Sequence, residues 1–381
     1  MERIQSVNIE RIEWACQQYG IAPAQLPTSV GLPESTISRL FAGNGITFNN
    51  LQKIATFFGH GVLFFVEQGP IDEANIYTPQ YRTILNRKPN LSVKLRKIVH
   101  KVENQRDTYI ALQEALAEPG IPFTPPDITN HTNGAAPQII RHWLNLSDDN
   151  SFGVSREKVE AKGVLVFLSN GYAGQWQIPR DDPVLGFSIH HDYYPVIVVR
   201  KENSEQRQLF TLMHELAHLL VHKTSWVDYR SDLESYLGQE RVANSLAGQV
   251  LVPDPVLDRI NDQERPTNVE EYDEWLNDIR RERGVSGEVI LRRLFDSNRL
   301  SPEQYSTYRR WKSSDDWSQK GGGSRAYRYR EPIHMFGETY VRTVLEALQT
   351  KEITLTKASS YLDNLRIEDV HELEKYCYAH V

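Results

Sequence analysis

Only two cysteines, Cys16 and Cys377, occur among 381 residues. Two thiols so far apart exclude a disulfide framework and a cysteine-rich zinc site, and they make a reducing, cytoplasmic compartment the expected location. No apolar run approaches membrane-spanning length, so no membrane partner is expected. The first twenty residues carry Glu2, Arg3, Glu10, Arg11 and Glu13 and lack a continuous apolar stretch, and they do not read as a signal peptide. Neither sign of charge dominates. With 43 Lys and Arg against 50 Asp and Glu, the formal net charge is -7, which excludes a whole-molecule polyanion binder and leaves only regional contact with nucleic acid. Low complexity is confined to the glycines at 321–323, and there is no internal repeat.

What is present is ordinary globular text, 40% hydrophobic and 24% charged, in a chain long enough for two or three domains. Residues 1–70 read as short helices punctuated by Gly20, Gly31, Gly43, Gly45 and Gly59. Residues 71–134 hold a basic helix with Arg82, Arg87, Lys88, Lys94, Arg96, Lys97, Lys101 and Arg106, ended by the proline-rich PGIPFTPPD. From 135 to 312 helical and extended pieces mix. VLVFL (164–168) and PVIVVR (195–200) are the best strands there, and 269–283, 286–296 and 302–312 read as later helices. After the KGGGSR linker at 320–325, residues 325–381 read as a C-terminal helical module.

The chemistry concentrates in two helical segments, RQLFTLMHELAHLLVHK (207–223) and ERVANSLAGQVLVP (240–253), the second stopped by Pro253. His214 and His218 are four residues apart, which sets both imidazoles on one helix face, able to grip one ion. Glu215 flanks that face and suits a general base acting on water beside the metal, the His-Glu-x-x-His arrangement of zinc hydrolases. The segment is apolar nearly all round, so two imidazoles and a carboxylate are buried there at a cost that a metal would offset. A catalytic zinc takes three protein ligands and leaves a fourth position open. The metzincin continuation fails, because Val221 and Thr224 stand where Gly and His would be needed. A carboxylate from a following helix is the alternative. Glu240 is the first choice, with Asp228, Asp232 and Glu234 as rivals and an ordinary helix N-terminal acid as its bland reading. His222 shares the His face but reads as a helix-end or outer group, outside the site.

These strings resemble the ImmA/IrrE family of bacterial zinc peptidases. The resemblance rests on the lead-in Arg207, Phe210, Thr211 and Leu212, the His-Glu-x-x-His, and a Glu-x-x-Ala-Asn helix ending in Leu-x-Pro; it covers about 135–300. It implies zinc on His214, His218 and Glu240, with Glu215 as catalytic base. Met213, Ala217 and Leu246 depart from the residues usual there. It also implies a zincin-like core in which the 195–200 strand would lie at the sheet edge beside the metal, ready to pair with an extended substrate; the segment itself reads equally as a buried core strand. His190, His191, Tyr193 and Tyr194 lie nearby in sequence, but no oxyanion-stabilising group can be assigned among them.

The stretch 29–59 is similar to the helix-turn-helix of phage-repressor-like regulators. In that reading Glu34, Ser35, Thr36, Ser38 and Arg39 face the DNA major groove. Residues 1–70 carry four basic against five acidic side chains, so DNA contact would have to borrow the basic 82–106 cluster or give way to protein contact. The expected protein is therefore an α+β zinc peptidase with an N-terminal all-α helix-turn-helix domain and a C-terminal helical region. Its expected substrate is a repressor or a toxin–antitoxin partner, with operator DNA as a further partner. The alternative is a non-catalytic DNA- or toxin-binding regulator that keeps the peptidase fold for recognition.

Overall fold

A computed structural model describes residues 3–58, 60–69, 71, 84, 91–128, 134–147, 150–170, 174–179, 181–202, 204–229, 238–313 and 325–379. Asp232, Glu234, Arg82, Arg87, Lys88 and most of the 320–325 linker lie outside them. The chain divides into two units, Met1–Glu103 and Asn104–Val381.

Among the described residues the first unit holds four short helices, α1 (Ile9–Gln18), α2 (Leu26–Val30), α3 (Glu34–Phe41) and α4 (Phe48–Phe58), with a two-residue antiparallel pair, β1 (Arg3–Ile4) and β2 (Ile46–Thr47). Asn8 caps α1 by accepting from the Arg11 N–H, and Gly31 ends α2 in the left-handed conformation (φ 68°) that a Cβ would disfavour. Ile12, Leu26, Ile37, Leu40, Leu51, Ile54 and Phe58 close its core. With Ile37 and Leu40 inward, α3 turns Glu34, Ser35, Ser38 and Arg39 to solvent and leaves Thr36 half-buried.

Much of the basic cluster falls on α5 (Val93–Ala115), and part of it serves internal packing. Arg96 donates to the Gln18 carbonyl, and the Lys97 ammonium lies 3.6 Å from the centre of the Phe57 ring. Burial, and then the neighbouring Lys101 charge, bring Lys97 down to about 8. Further along α5, Arg106 is buried and donates to Asp107 at 2.8 Å.

The second unit centres on a mixed four-stranded sheet, β3 (Leu165–Leu168), β4 (Val184–Ile189), β5 (Val196–Val199) and β6 (Trp226–Tyr229), in the order β3-β5-β4-β6. The sequence favours β3 and β5, and the structure adds β4 and β6. β5 pairs in parallel with β3 and antiparallel with β4, so it is an interior strand; the edge position expected for 195–200 belongs to β6. Both faces of the sheet are covered, which is why these strands are apolar without alternation. On one face Val166, Leu168, Ile197 and Val199 pack with Leu209, Leu212 and Leu216 of α8 (Glu205–Ala217), joined by α6 (Ala136–Leu144), α7 (Phe152–Glu160) and α9 (Gly238–Leu251). Beyond these follow α10 (Gly287–Asp296) and α11 (Pro302–Ser313). On the other face Phe167 meets Phe336 and Tyr340 of α12 (Glu331–Gln349) edge-on, with ring centres 5.6 and 5.9 Å away. Helices α13 (Leu355–Tyr361) and α14 (Ile367–Ala379) complete that side.

Helix α12 breaks at Gly337, whose φ of 85° and lack of room for a Cβ suit glycine alone. The break is held by Arg156 of α7. Its guanidinium donates to the carbonyls of Ile333 (3.3 Å), His334 (2.8 Å), Met335 (3.3 Å) and Val166, and pairs with buried Glu160 at 2.9 Å.

Candidate metal centre

Helix α8 starts at a Ser204 cap, whose side chain accepts from the Arg207 N–H, and after Ala217 it widens into a π-helical turn over His218–His222. Such wide turns recur at functional sites. His214, Glu215 and His218 lie on this stretch and are wholly buried. The imidazoles converge, with His214 Nε2 and His218 Nε2 3.0 Å apart.

The sheet presents small side chains to this helix. A Cβ on Gly186 of β4 would lie 2.6 Å from Thr211 Cγ2 and 2.7 Å from Glu215 Oε1, so glycine there makes the space that the Glu215 carboxylate fills. Asp228 on β6 pairs with Gly186 and Trp226 pairs with Ser188, so both side chains share that face. The β4–β6 register slips between Val184 and Gly186, opposite Tyr229 and Asp228. Irregularities of this kind re-aim side chains beside active sites.

Four residues thus gather, His214, His218, Asp228 and Glu240, with one ligand atom from each lying within 4.8 Å of all the others. Asp228 Oδ2 is 2.9 Å from His214 Nε2 and 3.4 Å from His218 Nε2, while Glu240 Oε2 is 3.4 and 3.5 Å from the same atoms. The donor set fits a cation. Donors about 2.1 Å from a tetrahedral ion stand roughly 3.4 Å apart, the spacing seen here. Asp228 Oδ1 and His214 Nδ1 are buried without a hydrogen-bond partner and two carboxylates are gathered at one point, a costly arrangement that a cation among them would offset.

Trp226 fixes two of these groups. Its indole stacks on His218 (centres 4.5 Å, 12° between planes), and its Nε1–H donates to Glu240 Oε1 at 2.6 Å. His222 lies 2.9 Å from His218, Nδ1 to Nδ1, the outer contact expected of it. Helix α9 carries Glu240 in its first turn and shares a core with α8 through Ala243 and Ala247, while Gly248 makes room for Arg293 of α10. Tyr194 is committed elsewhere, its hydroxyl accepting from the Ile121 N–H at 2.9 Å and its ring packed edge-on against Tyr109.

Charge is balanced tightly in the metal-free arrangement. Burial depresses His214, but the adjoining Asp228 and Glu240 carboxylates outweigh it and bring His214 up to about 9. Burial would raise Asp228, yet His214 and His218 hold it far below the usual carboxylate range; Glu240 is lowered by the same two imidazoles against its own burial. Glu215 goes the other way. Burial first, then the Asp228 carboxylate, push it well above 4.5, with the Ser188 hydroxyl opposing in part.

Of the residues predicted from sequence, His214, His218 and Glu240 come together with Glu215 alongside. Asp228, there only a rival to Glu240, stands beside it as a second carboxylate. Trp226, Gly186 and Ser188 were not anticipated. The two-residue spacing of Trp226 and Asp228 was the available signal, since it sets both on one face of a strand.

A largely buried cluster of two histidines and two carboxylates, drawn from α8 and its π-helical turn, β6 and α9, marks this unit as an α+β domain with a candidate metal site. Within it residues 178–295, which hold all four donors, match the family model described as Peptidase_M78, IrrE N-terminal-like domain. The match supports the ImmA/IrrE resemblance and, at family level, a metallopeptidase-like regulator. No curated protein and no solved structure matches the chain. Among the described residues no helix is long and apolar enough to cross a membrane.

Proposed function

We propose that the chain is a zinc-dependent endopeptidase that cuts a specific regulatory protein, a repressor or a toxin–antitoxin partner. The observation that carries this reading is the convergence of His214 and His218 with a carboxylate from α9, beside a buried Glu215. His214, His218 and Glu240 would hold the ion. The chemistry that zinc supplies when bound is Lewis acidity toward a peptide carbonyl and an attacking water. Glu215 takes the proton of that water on its carboxylate and returns it to the leaving amine; a raised pKa suits a group that passes a proton near neutrality. Trp226 holds the Glu240 carboxylate and the His218 ring in place through its indole. In this reading residues 1–70 form a helix-turn-helix module, and the exposed face of α3 meets the partner or operator DNA.

A second reading, a non-catalytic regulator keeping the fold for recognition, draws support from the second carboxylate at the cluster, because four protein ligands make a structural kind of zinc site. One experiment separates them. Protein N-termini are compared in cells carrying the wild-type chain and cells carrying Glu215→Gln. New N-termini from one regulatory protein in the wild type alone support hydrolysis, whereas identical N-termini together with full biological activity of the variant favour the binder.

A further inference from the structure

We infer that Asp228 is a fourth protein ligand, occupying the position that a hydrolytic water needs, so that the folded chain is a latent peptidase whose site opens only when Asp228 withdraws. The inference rests on the metal-site reading above and goes beyond it. Three ligands suffice for a catalytic zinc, and His214, His218 and Glu240 already supply them. Asp228 Oδ2 is nonetheless as near the imidazoles as Glu240 Oε2, at 2.9 and 3.4 Å against 3.4 and 3.5 Å. It is also the more deeply placed of the two, with none of its side chain exposed against 15% for Glu240.

Its surroundings are built rather than accidental. β6 carries Asp228 opposite Gly186, the glycine of β4 whose missing side chain leaves room for Thr211 and the Glu215 carboxylate. The register slip falls at the same pair. Glu215, whose work as a base requires water between it and the metal, is wholly buried and reaches to the space left by Gly186, directly across the strand pair from Asp228. The carboxylate of Asp228 therefore belongs to the ligand cluster on the side where the base lies. Because β6 pairs only with β4 among the described strands, withdrawing Asp228 disturbs one edge pairing and leaves the β3-β5-β4 core intact.

The test uses the full chain loaded with cobalt(II), whose visible absorption reports its coordination, and acetohydroxamate as an added ligand. Wild type, Asp228→Ala and the size-conserving Asp228→Asn are compared, the last guarding against misfolding on loss of the side chain. The expected result is one cobalt per chain in the wild type, with a spectrum that acetohydroxamate does not move. Both variants should show an altered spectrum, weaker cobalt retention and acetohydroxamate binding at least about tenfold tighter than wild type. If wild type takes up acetohydroxamate as readily as the variants, or if the variants keep its cobalt spectrum and retention, Asp228 is no ligand and the inference falls while the metal site stands. If neither wild type nor variants hold cobalt, the inference and the peptidase reading fall together.

Discussion

Replacing Glu215 by Gln should stabilise the metal-free protein while ending hydrolysis, and the gain should grow with pH. The side chain is wholly buried, and burial followed by the Asp228 carboxylate raises its pKa well above 4.5 against the partial opposition of the Ser188 hydroxyl. Below pH 4.5 both folded and unfolded chains hold the proton, and the residue costs nothing. As pH rises, the unfolded chain releases the proton while the folded chain must keep it, at about 1.4 kcal/mol per pH unit. Glutamine has the same shape, never ionises, and brings an amide that can donate to Asp228. The variant should be nearly equal to wild type at pH 4.5 and should gain on it by about 1.4 kcal/mol for each further pH unit over which the folded carboxyl holds its proton, each kcal/mol being roughly 2–4 °C in Tm. Urea unfolding with chelator present, at pH 4.5, 6 and 7.5, measures this. A variant less stable than wild type at pH 7.5, or a difference independent of pH, would refute the upward shift of the buried Glu215 carboxyl.

Three other outcomes follow from the same geometry. Glu240→Ala should weaken zinc retention by about a hundredfold or more, since losing only an outer partner of a ligand already costs ten- to a hundredfold; competition with a chromophoric chelator measures it, and unchanged retention would remove Glu240 from the site. Gly186→Ala drives a Cβ to 2.6 Å from Thr211 Cγ2 and 3.1 Å from the Val198 carbonyl oxygen, so it should cost about 1–3 kcal/mol in thermal unfolding. Arg156→Ala strands the buried Glu160 carboxylate and frees the carbonyls before Gly337; a loss of about 3–5 kcal/mol is expected in urea, and a loss below about 1 kcal/mol would mean that the pair holds nothing together.

How far the sequence carried this reading depended on how local the signal was. Helices α8 and α9 were legible because each is a self-contained apolar run, the second ended by Pro253, and the spacing of His214 and His218 is a property of the helix itself. β3 and β5 were legible as strands, but the interior position of β5 depends on β3 and β4 as neighbours, which no local pattern states. Asp228 was harder. Its place at the cluster needs β6 to pair with β4 in a slipped register that sets it opposite Gly186, so the decisive fact is a cross-strand one. The exposed face of α3 follows from the inward placement of Ile37 and Leu40. The basic run on α5, by contrast, read as a cluster of like charges although Arg96, Lys97 and Arg106 are partly spent on a carbonyl, a ring and an adjacent carboxylate.

The seam at Gly337 bears on where the chain can be shortened. A chain ending at residue 313 would leave Phe167 and Trp176 without Phe336, whose ring stands 5.6 and 5.0 Å from theirs, and Arg156 without the three carbonyls that it grips. The sheet that carries Gly186 and Asp228 would then show a bare aromatic surface to water, of the sort that drives self-association. The last fifty residues are in that sense the back wall of the candidate metal site, and a preparation ending at residue 313 is expected to precipitate before its chemistry can be assayed.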